Sequence, residues 1–290
     1  MTFDRSRILD LIIRINPWWQ THQVPAEFHR PMKRDAFNSV LKSFPLERAI
    51  FILGPRRVGK TTVMYQVIEH LLDEKVNPKT ILYLSLDHPV LKSVSLGELL
   101  DLYRNNVLMG QESGYLFLDE IHYAEEWDLW LKSFIDRKLP FKIVASGSAS
   151  AVIEKKGRES GVGRWIEVKM LPLSFREFVA LKGIPVPESD IFRFLKGRKP
   201  FHFTSDDLRE FRSIWSKDRV GIVALANALE IPFQEYLLKG GIPEVTFLDS
   251  TLEIQRLLRE DVAEKVLYRD MAVLYGVRNL LILEQLFLHI

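Results

Sequence analysis

The chain of 290 residues contains no cysteine. Disulfide bonds, thiolate metal sites and cysteine nucleophiles are therefore excluded, and several classes of enzyme with them. The seven histidines are scattered, and none of them forms an H-x-x-x-H pair or another metal-ligand spacing. We therefore expect no transition-metal site.

A strong net charge and a long hydrophobic run are also lacking. Lys and Arg number 40 against 38 Asp and Glu, a formal net charge of +2, so the chain has no global basic field for nucleic acid. No apolar stretch approaches the ~20 residues that span a membrane. The first ten residues already contain Asp4, Arg5 and Arg7, which is unlike a signal peptide. We expect a cytoplasmic protein with no membrane partner.

A complete phosphate-binding loop is present near residue 54. The letters L-G-P-R-R-V-G-K-T-T-V at 53–63 contain the pattern Gly54-x-x-x-x-Gly59-Lys60-Thr61. The run 49–53 predicts a buried strand and the apolar spacing of 61–72 predicts a helix, so the loop lies where backbone N–H groups can cradle phosphate. Lys60 would place a charge on the β- and γ-phosphates, and the Thr61 hydroxyl could ligate Mg²⁺. The predicted nucleotide-binding residues are Gly54, Pro55, Arg56, Arg57, Val58, Gly59, Lys60, Thr61 and Thr62.

A second apolar run, 114–118, ends in the acids Asp119 and Glu120. Taken alone, such a pair could equally be an acidic strand end or a helix N-cap. Beside a phosphate-binding loop it predicts a Walker B strand. Asp119 would hold Mg²⁺ through water, and Glu120 would polarise the attacking water.

Together the motifs resemble those of the archaeal and bacterial AAA-type ATPases, in particular a STAND-like archaeal group. The resemblance is carried by G-P-R-R-V-G-K-T-T, Y-L-S-L-D at 83–87, Y-L-F-L-D-E-I-H at 115–122 and A-S-G-S-A-S at 145–150. The later runs 171–178 and 240–244 are similar as well, so the resemblance covers roughly residues 45 to 270. It implies that ATP and Mg²⁺ are the cofactors and that ATP is hydrolysed to ADP and phosphate.

The resemblance also implies roles for three polar residues. Ser146, with Ser148 as the near alternative, would be a sensor for the γ-phosphate or the attacking water, although a serine-rich turn is more often a cap. Arg164 matches an arginine that could act as a finger or sensor toward the γ-phosphate, in its own chain or a neighbour's, because its planar fork meets phosphate oxygens bidentately. The alternative for Arg164 is a surface arginine at a strand end. Asp87 matches an acid near the magnesium or the loop arginines.

Strands alternate with helices from 48 to 170, a pattern that demands a mainly parallel sheet covered on both faces. The fold class is therefore α/β, a three-layer P-loop NTPase sandwich, and an extra strand between the Walker strands predicts the spatial order 5-1-4-3-2. The predicted domains are a helical segment 1–45, the ATPase core 46–172 and a helical lid and carboxyl-terminal region 173–290 with a charged insertion at 182–218.

Core packing is the more common use of Trp18 and Trp19, but either could contact the adenine base. The apolar run 279–290 predicts burial or continuation into a further domain.

Two functions fit this pattern. The first is Mg²⁺-dependent ATP hydrolysis that couples nucleotide state to conformational change, and the second is a slow nucleotide-dependent switch that binds a protein partner. The lack of N-K-x-D and L-S-G-G-Q sequences argues against a guanine-specific GTPase and a transporter ATPase. A small-molecule kinase stays open. The basic clusters 56–57, 155–158 and 196–199 could bind DNA, the nucleotide's phosphates or a neighbouring subunit of an oligomer, or face solvent.

Overall fold

Five short strands form one parallel sheet in the computed structural model. Their order is β2-β3-β4-β1-β5, which confirms the predicted order 5-1-4-3-2 and the α/β P-loop fold class. Because helices cover the sheet, its strands are almost continuous apolar runs, and every residue of β1 is buried. The strands are β1 Ala49–Leu53, β2 Ile81–Ser85, β3 Gly114–Asp119, β4 Phe141–Gly147 and β5 Trp165–Lys169.

The structure describes residues 4–111, 113–147, 164–196 and 204–264, together with 268, 279, 281–282 and 285–286. The chain divides into two compact units, residues 1–171 with 255–290 and residues 172–254. The amino-terminal segment thus belongs to the same unit as the sheet. Ser148, the cluster 155–158 and most of the run 279–290 lie outside the described residues. Among the helices of the described ranges, none has both the length and the apolar character that a membrane span requires.

The helices around the sheet begin with a short amino-terminal series and continue between the strands. They are α1 Arg5–Ile15, α2 Trp18–Thr21, α3 Asp35–Lys42, α4 Lys60–Asp73, α5 Leu96–Tyr103 and α6 Trp127–Asp136, with 3₁₀ turns at Ala26–Phe28, Pro78–Thr80, Leu91–Ser93 and Ile121–Tyr123 and a π-helical turn at Arg104–Leu108. The P-loop helix α4 is the longest of the six, and it buries most of its length.

The amino-terminal segment covers the open edge of the sheet at β2. The Asn16 side chain pairs with both backbone groups of Tyr83, donating from Nδ2 to the carbonyl at 3.0 Å and accepting the N–H at Oδ1 at 2.7 Å. The indole N–H groups of Trp18 and Trp19 both donate to the Ile81 carbonyl, at 3.0 and 2.8 Å. These bonds satisfy polar groups that an edge strand otherwise exposes. The structure thus places both tryptophans in the core.

The second unit is built from helices. They are α7 Phe175–Leu181, α8 Asp190–Lys196, α9 Ser205–Lys217 and α10 Arg219–Lys239, with a 3₁₀ turn at Val245–Phe247. The unit ends at Ile254, within α11 Thr251–Leu257. A π-helical turn at Leu258–Ala263 follows α11 and belongs to the first unit. A capping box between Ser174 and Glu177 begins α7. Phe178 packs edge-on against Tyr236 of α10, and the Tyr236 hydroxyl donates to the Leu173 carbonyl at 2.7 Å.

Candidate active site

The phosphate-binding loop joins the buried end of β1 to the first turn of α4. Gly59 has φ +94°, a left-handed conformation that favours glycine, and it immediately precedes α4. At Gly54 a Cβ atom would lie 2.1 Å from the Met170 carbonyl oxygen, so the close approach of two backbones excludes any side chain. The two glycines of the motif are thus required by geometry for different reasons.

Lys60 is buried at the start of α4, with its ammonium inside the loop. Nζ donates to the carbonyl oxygens of Gly54 at 3.2 Å and Pro55 at 3.0 Å. It also lies 3.5 Å from Oε1 of Glu120. The loop therefore holds a positive charge in the place where the sequence predicts phosphate.

Asp119 lies at the end of β3 and is only 3% exposed. Its Oδ2 accepts hydrogen bonds from the Thr61 hydroxyl at 2.7 Å and the Tyr83 hydroxyl at 2.9 Å, and its Oδ1 accepts one from Ser146. Burial raises the pKa of Asp119 above its ordinary value, and the hydrogen bonds from Ser146, Thr61 and Tyr83 oppose that shift. Burial also raises the pKa of Tyr83 well above its ordinary value, so its phenol remains a donor.

The donor set at Asp119 fits a magnesium ion. A carboxylate and a threonine hydroxyl are hard oxygen ligands, which Mg²⁺ prefers, and the ion typically takes few protein ligands beside phosphate and water. A carboxylate buried as deeply as Asp119 is also stabilised by a neighbouring cation. Thr61 and Asp119 are the residues that would hold it.

Glu120 is directed back over the loop. Its backbone is left-handed, with φ 50° and ψ 47°, an uncommon conformation for a non-glycine residue and one that clusters at functional sites. Its carboxylate lies between the Lys60 ammonium and the Nδ1 atom of His122, which is 3.4 Å from Oε2. Its N–H donates to the Ser146 hydroxyl oxygen at 2.9 Å. Ser146, which is fully buried, also donates to Asp119, and it therefore links the two acids.

The remaining predicted loop residues differ in their exposure and their partners. Arg56 donates from Nη2 to the Tyr123 hydroxyl at 3.3 Å, which joins the loop to the turn after β3. Arg57 is exposed with φ 61°, Val58 is buried, and Pro55 and Thr62 are partly buried. Most of the predicted site residues thus lie in the loop or at the ends of β3 and β4.

Arg164 lies elsewhere. It immediately precedes β5, its carbonyl accepts the Ala49 N–H at 3.2 Å, and its guanidinium pairs with Asp136 at 3.0 Å. Because β5 runs parallel to β1, Arg164 lies beside the first residue of β1, roughly 13 Å along the strand from the loop at ~3.3 Å per residue. The described guanidinium thus contacts Asp136 at the other end of the strand, and the catalytic role of Arg164, in its own chain or a neighbour's, stays a prediction. Asp87 is exposed and accepts from the Ser85 hydroxyl at 2.5 Å, and its role stays a prediction.

Three contacts at the site were not predicted from the sequence. Tyr83 reaches Asp119 from the edge strand, and His122 reaches Glu120 from the following turn. Arg34, just before α3, donates to the Val58 carbonyl of the loop at 2.7 Å and to the Leu171 carbonyl at 2.9 Å. The resemblance includes the letters around Tyr83 and His122, but no spacing rule assigns either side chain a partner.

Comparisons with known proteins agree with this geometry. Residues 46–179 match the family model of an AAA domain. Two uncharacterized proteins of Methanocaldococcus jannaschii are similar: MJ1544 is 26% identical over 230 residues, 79% of this chain and 43% of that protein, and MJ1637 is 29% identical over 226 residues, 76% and 43%. The chain spans less than half the length of these curated relatives.

Among solved structures, the Aeropyrum pernix ORC1 protein in complex with DNA matches with a TM-score of 0.41 and 14% identity, over 56% of this chain and 51% of that one. A similarity of this size carries no argument about function. The family match coincides with the loop, the Walker B strand and the sheet described above. Residues 46 to 179 therefore match an AAA domain, and the parallel sheet of this part of the chain has the strand order of the P-loop fold.

Proposed function

We propose that the AAA domain binds ATP with Mg²⁺ and hydrolyses it to ADP and phosphate, so that nucleotide state changes the conformation of the chain. The observation that carries the proposal is the convergence of two distant motifs. The Thr61 hydroxyl lies 2.7 Å from Oδ2 of Asp119, and the Lys60 ammonium lies 3.5 Å from Glu120. The Lys60 ammonium, the candidate metal ligands Thr61 and Asp119, and the candidate base Glu120 thus lie together at one loop.

Each side chain has a role in this proposal. Mg²⁺, when bound, supplies charge neutralisation to the β- and γ-phosphate oxygens. Lys60 exchanges its carbonyl partners for phosphate oxygens, and Thr61 and Asp119 hold the metal. Glu120 orients the attacking water and accepts its proton, while Ser146 fixes the backbone of Glu120 and faces the γ-phosphate.

Steady-state hydrolysis of ATP with and without Mg²⁺ tests the proposal. Lys60→Ala should abolish ATP binding, whereas Glu120→Gln should keep binding and lower turnover at least a hundredfold, because the variant cannot accept a proton. Glu125→Gln is the matched control, since it removes an exposed carboxylate from the turn after Glu120. Turnover that Glu120→Gln leaves intact would contradict the role of this residue, and no Mg²⁺-dependent binding in the wild type would overturn the whole proposal.

A second candidate is a switch with slow turnover whose output is binding to a protein partner. The contact between the Glu120 carboxylate and the Lys60 ammonium favours it, because the base must leave this partner before it can act on water. Tight Mg²⁺-dependent ATP binding with negligible turnover would select this function. For either function, we propose that the protein is located in the cytoplasm.

A further inference from the structure

Tyr83 connects the edge strand β2 to the metal-ligand candidate Asp119. The ring is 4% exposed, and its hydroxyl donates to Oδ2 of Asp119 at 2.9 Å. Thr61 donates to the same oxygen at 2.7 Å, and Ser146 donates to the other. The carboxylate is therefore held by three hydroxyl groups from three elements, α4, β2 and β4.

The three donors are not equivalent toward a cation. Thr61 can turn a lone pair to the metal while its hydrogen stays on Asp119, so it is a ligand and a donor at once. Tyr83 approaches from the strand on the other side of β3, where β2 and β3 pair with Ser85 opposite Asp119. Its hydroxyl donates to the carboxylate, so we expect its effect on a cation to act through Asp119.

The position of the Tyr83 ring is itself fixed from two sides. Asn16 pairs with both backbone groups of Tyr83, which holds this point of β2 in register. The ring of Tyr65, on the P-loop helix, lies 4.9 Å from the ring of Tyr83. Because Asn16 and Tyr65 hold Tyr83 in place, we expect the Tyr83 hydroxyl to orient the Asp119 carboxylate.

We propose that Tyr83 is a positioning residue for Mg²⁺: its hydroxyl fixes the rotamer of the Asp119 carboxylate, so that the free oxygen lone pairs face the metal beside Thr61. The inference rests on the proposed function, because it assigns Asp119 to the metal. Outer-shell partners of this type typically change metal affinity about 10- to 100-fold when removed.

Tyr83→Phe tests the inference, with Tyr103→Phe as the matched control. Tyr103 is also buried and its hydroxyl donates to the Lys79 carbonyl at 2.7 Å, so each variant loses one buried hydroxyl and the hydrogen bond that this hydroxyl donates. The measurement is the binding of a fluorescent ATP analogue, first in EDTA and then over a Mg²⁺ titration, with thermal unfolding of each variant. We expect equal affinity in EDTA for all three proteins and a Mg²⁺ midpoint about tenfold higher in Tyr83→Phe alone.

The outcomes distinguish a failure of this positioning role from a failure of the proposed function. If Tyr83→Phe and Tyr103→Phe share the wild-type Mg²⁺ midpoint, Tyr83 is structural and the inference is overturned. If the wild type itself shows no response to Mg²⁺, the proposed function fails and the inference fails with it. A second measurement adds Asp119→Asn: because Tyr83 acts through Asp119, the double variant should have the same Mg²⁺ midpoint as Asp119→Asn alone.

Discussion

At the scale of single residues, the site depends on hydroxyl groups as much as on its acids. Ser146 donates to Asp119 and accepts from the N–H of Glu120, and it is fully buried. Ser146 thus connects Asp119, the candidate metal ligand, to Glu120, the candidate base. This connection is separate from the predicted contact of Ser146 with the γ-phosphate. The same residue type at a strand end would otherwise be explained as a cap.

Replacement of Ser146 by alanine should lower turnover at least tenfold and change ATP affinity little, because both acids lose a positioning bond. It should also lower the free energy of unfolding by about 1–3 kcal/mol, since the buried Asp119 carboxylate loses a donor and the partly buried N–H of Glu120 loses its acceptor. Steady-state kinetics and urea denaturation measure the two effects. Ser85→Ala is the control, as its hydroxyl donates to the exposed Asp87; equal kinetics in the two variants would contradict the role of Ser146.

Tyr65 makes stability sensitive to alkaline pH. Burial raises its pKa to about 12, so the folded chain keeps the phenol proton at pH values where the unfolded chain loses it. Its contribution to stability is therefore complete below about pH 10 and is lost as the pH rises toward 12. Urea denaturation from pH 8 to 11.5 should show a steeper loss in the wild type than in Tyr65→Phe. Parallel curves for the two proteins would show that Tyr65 does not contribute.

At the scale of elements, the edge strand β2 is stabilised by side chains where another strand would otherwise lie. The Asn16 amide reproduces the donor and acceptor of a neighbouring backbone, and the two indole groups share one carbonyl. Because Tyr83 lies at that point of β2, the amino-terminal segment also supports the candidate active site. A segment outside the matched AAA domain thus completes its sheet.

Asn16→Ala should lower the free energy of unfolding by about 2–4 kcal/mol, because it leaves the N–H and C=O of Tyr83 buried without this partner. Asn106→Ala is the control, since that exposed side chain donates to one helical carbonyl at 2.8 Å and its loss should cost ~0.5 kcal/mol or less. Urea denaturation of both variants makes the comparison. A similar loss in the two would mean that Asn16 does not secure the edge strand.

At the scale of the whole molecule, the charge balance decides which partners are plausible. A net charge of +2 gives no global field, so any binding to DNA must come from local clusters. The cluster 155–158 comes after β4 in sequence and lies outside the described residues. Duplex DNA stays a proposed partner mainly because of the resemblance to the AAA-type ATPases, and the local clusters are where it would bind.

If the chain binds duplex DNA, the affinity should fall linearly with the logarithm of the salt concentration. Replacing Lys155 and Lys156 by glutamate should reduce that slope by about one for each phosphate that the variant no longer neutralises. Fluorescence anisotropy of a labelled duplex measures this slope between 50 and 200 mM KCl. Over that range, about six phosphate contacts lower the affinity by ~10³. Arg209→Glu, at an exposed arginine already paired with Asp206, is the control. A salt-independent affinity would contradict electrostatic binding to DNA.

Local chemistry and strand order could be predicted from the sequence alone. The glycines, Lys60 and Thr61 have a spacing typical of a strand-to-helix turn around phosphate, and the two acids at the end of β3 come directly after an apolar run. Parallel strands bring their carboxyl ends to one edge of the sheet, so the motifs of β1, β3 and β4 had to meet there. The order of the strands could be inferred from the family pattern.

Only the tertiary structure decided which side chains reach that edge from elsewhere. Arg164 matched a sensor by its place between motifs, yet a residue before a parallel strand lies at the opposite end from the loop. Tyr83 and Asn16 act through contacts across 36 and 67 positions, which no periodicity encodes. The sequence determines which residues come directly after a strand, because that relation is local, whereas the partners of an edge strand depend on how the whole sheet is covered.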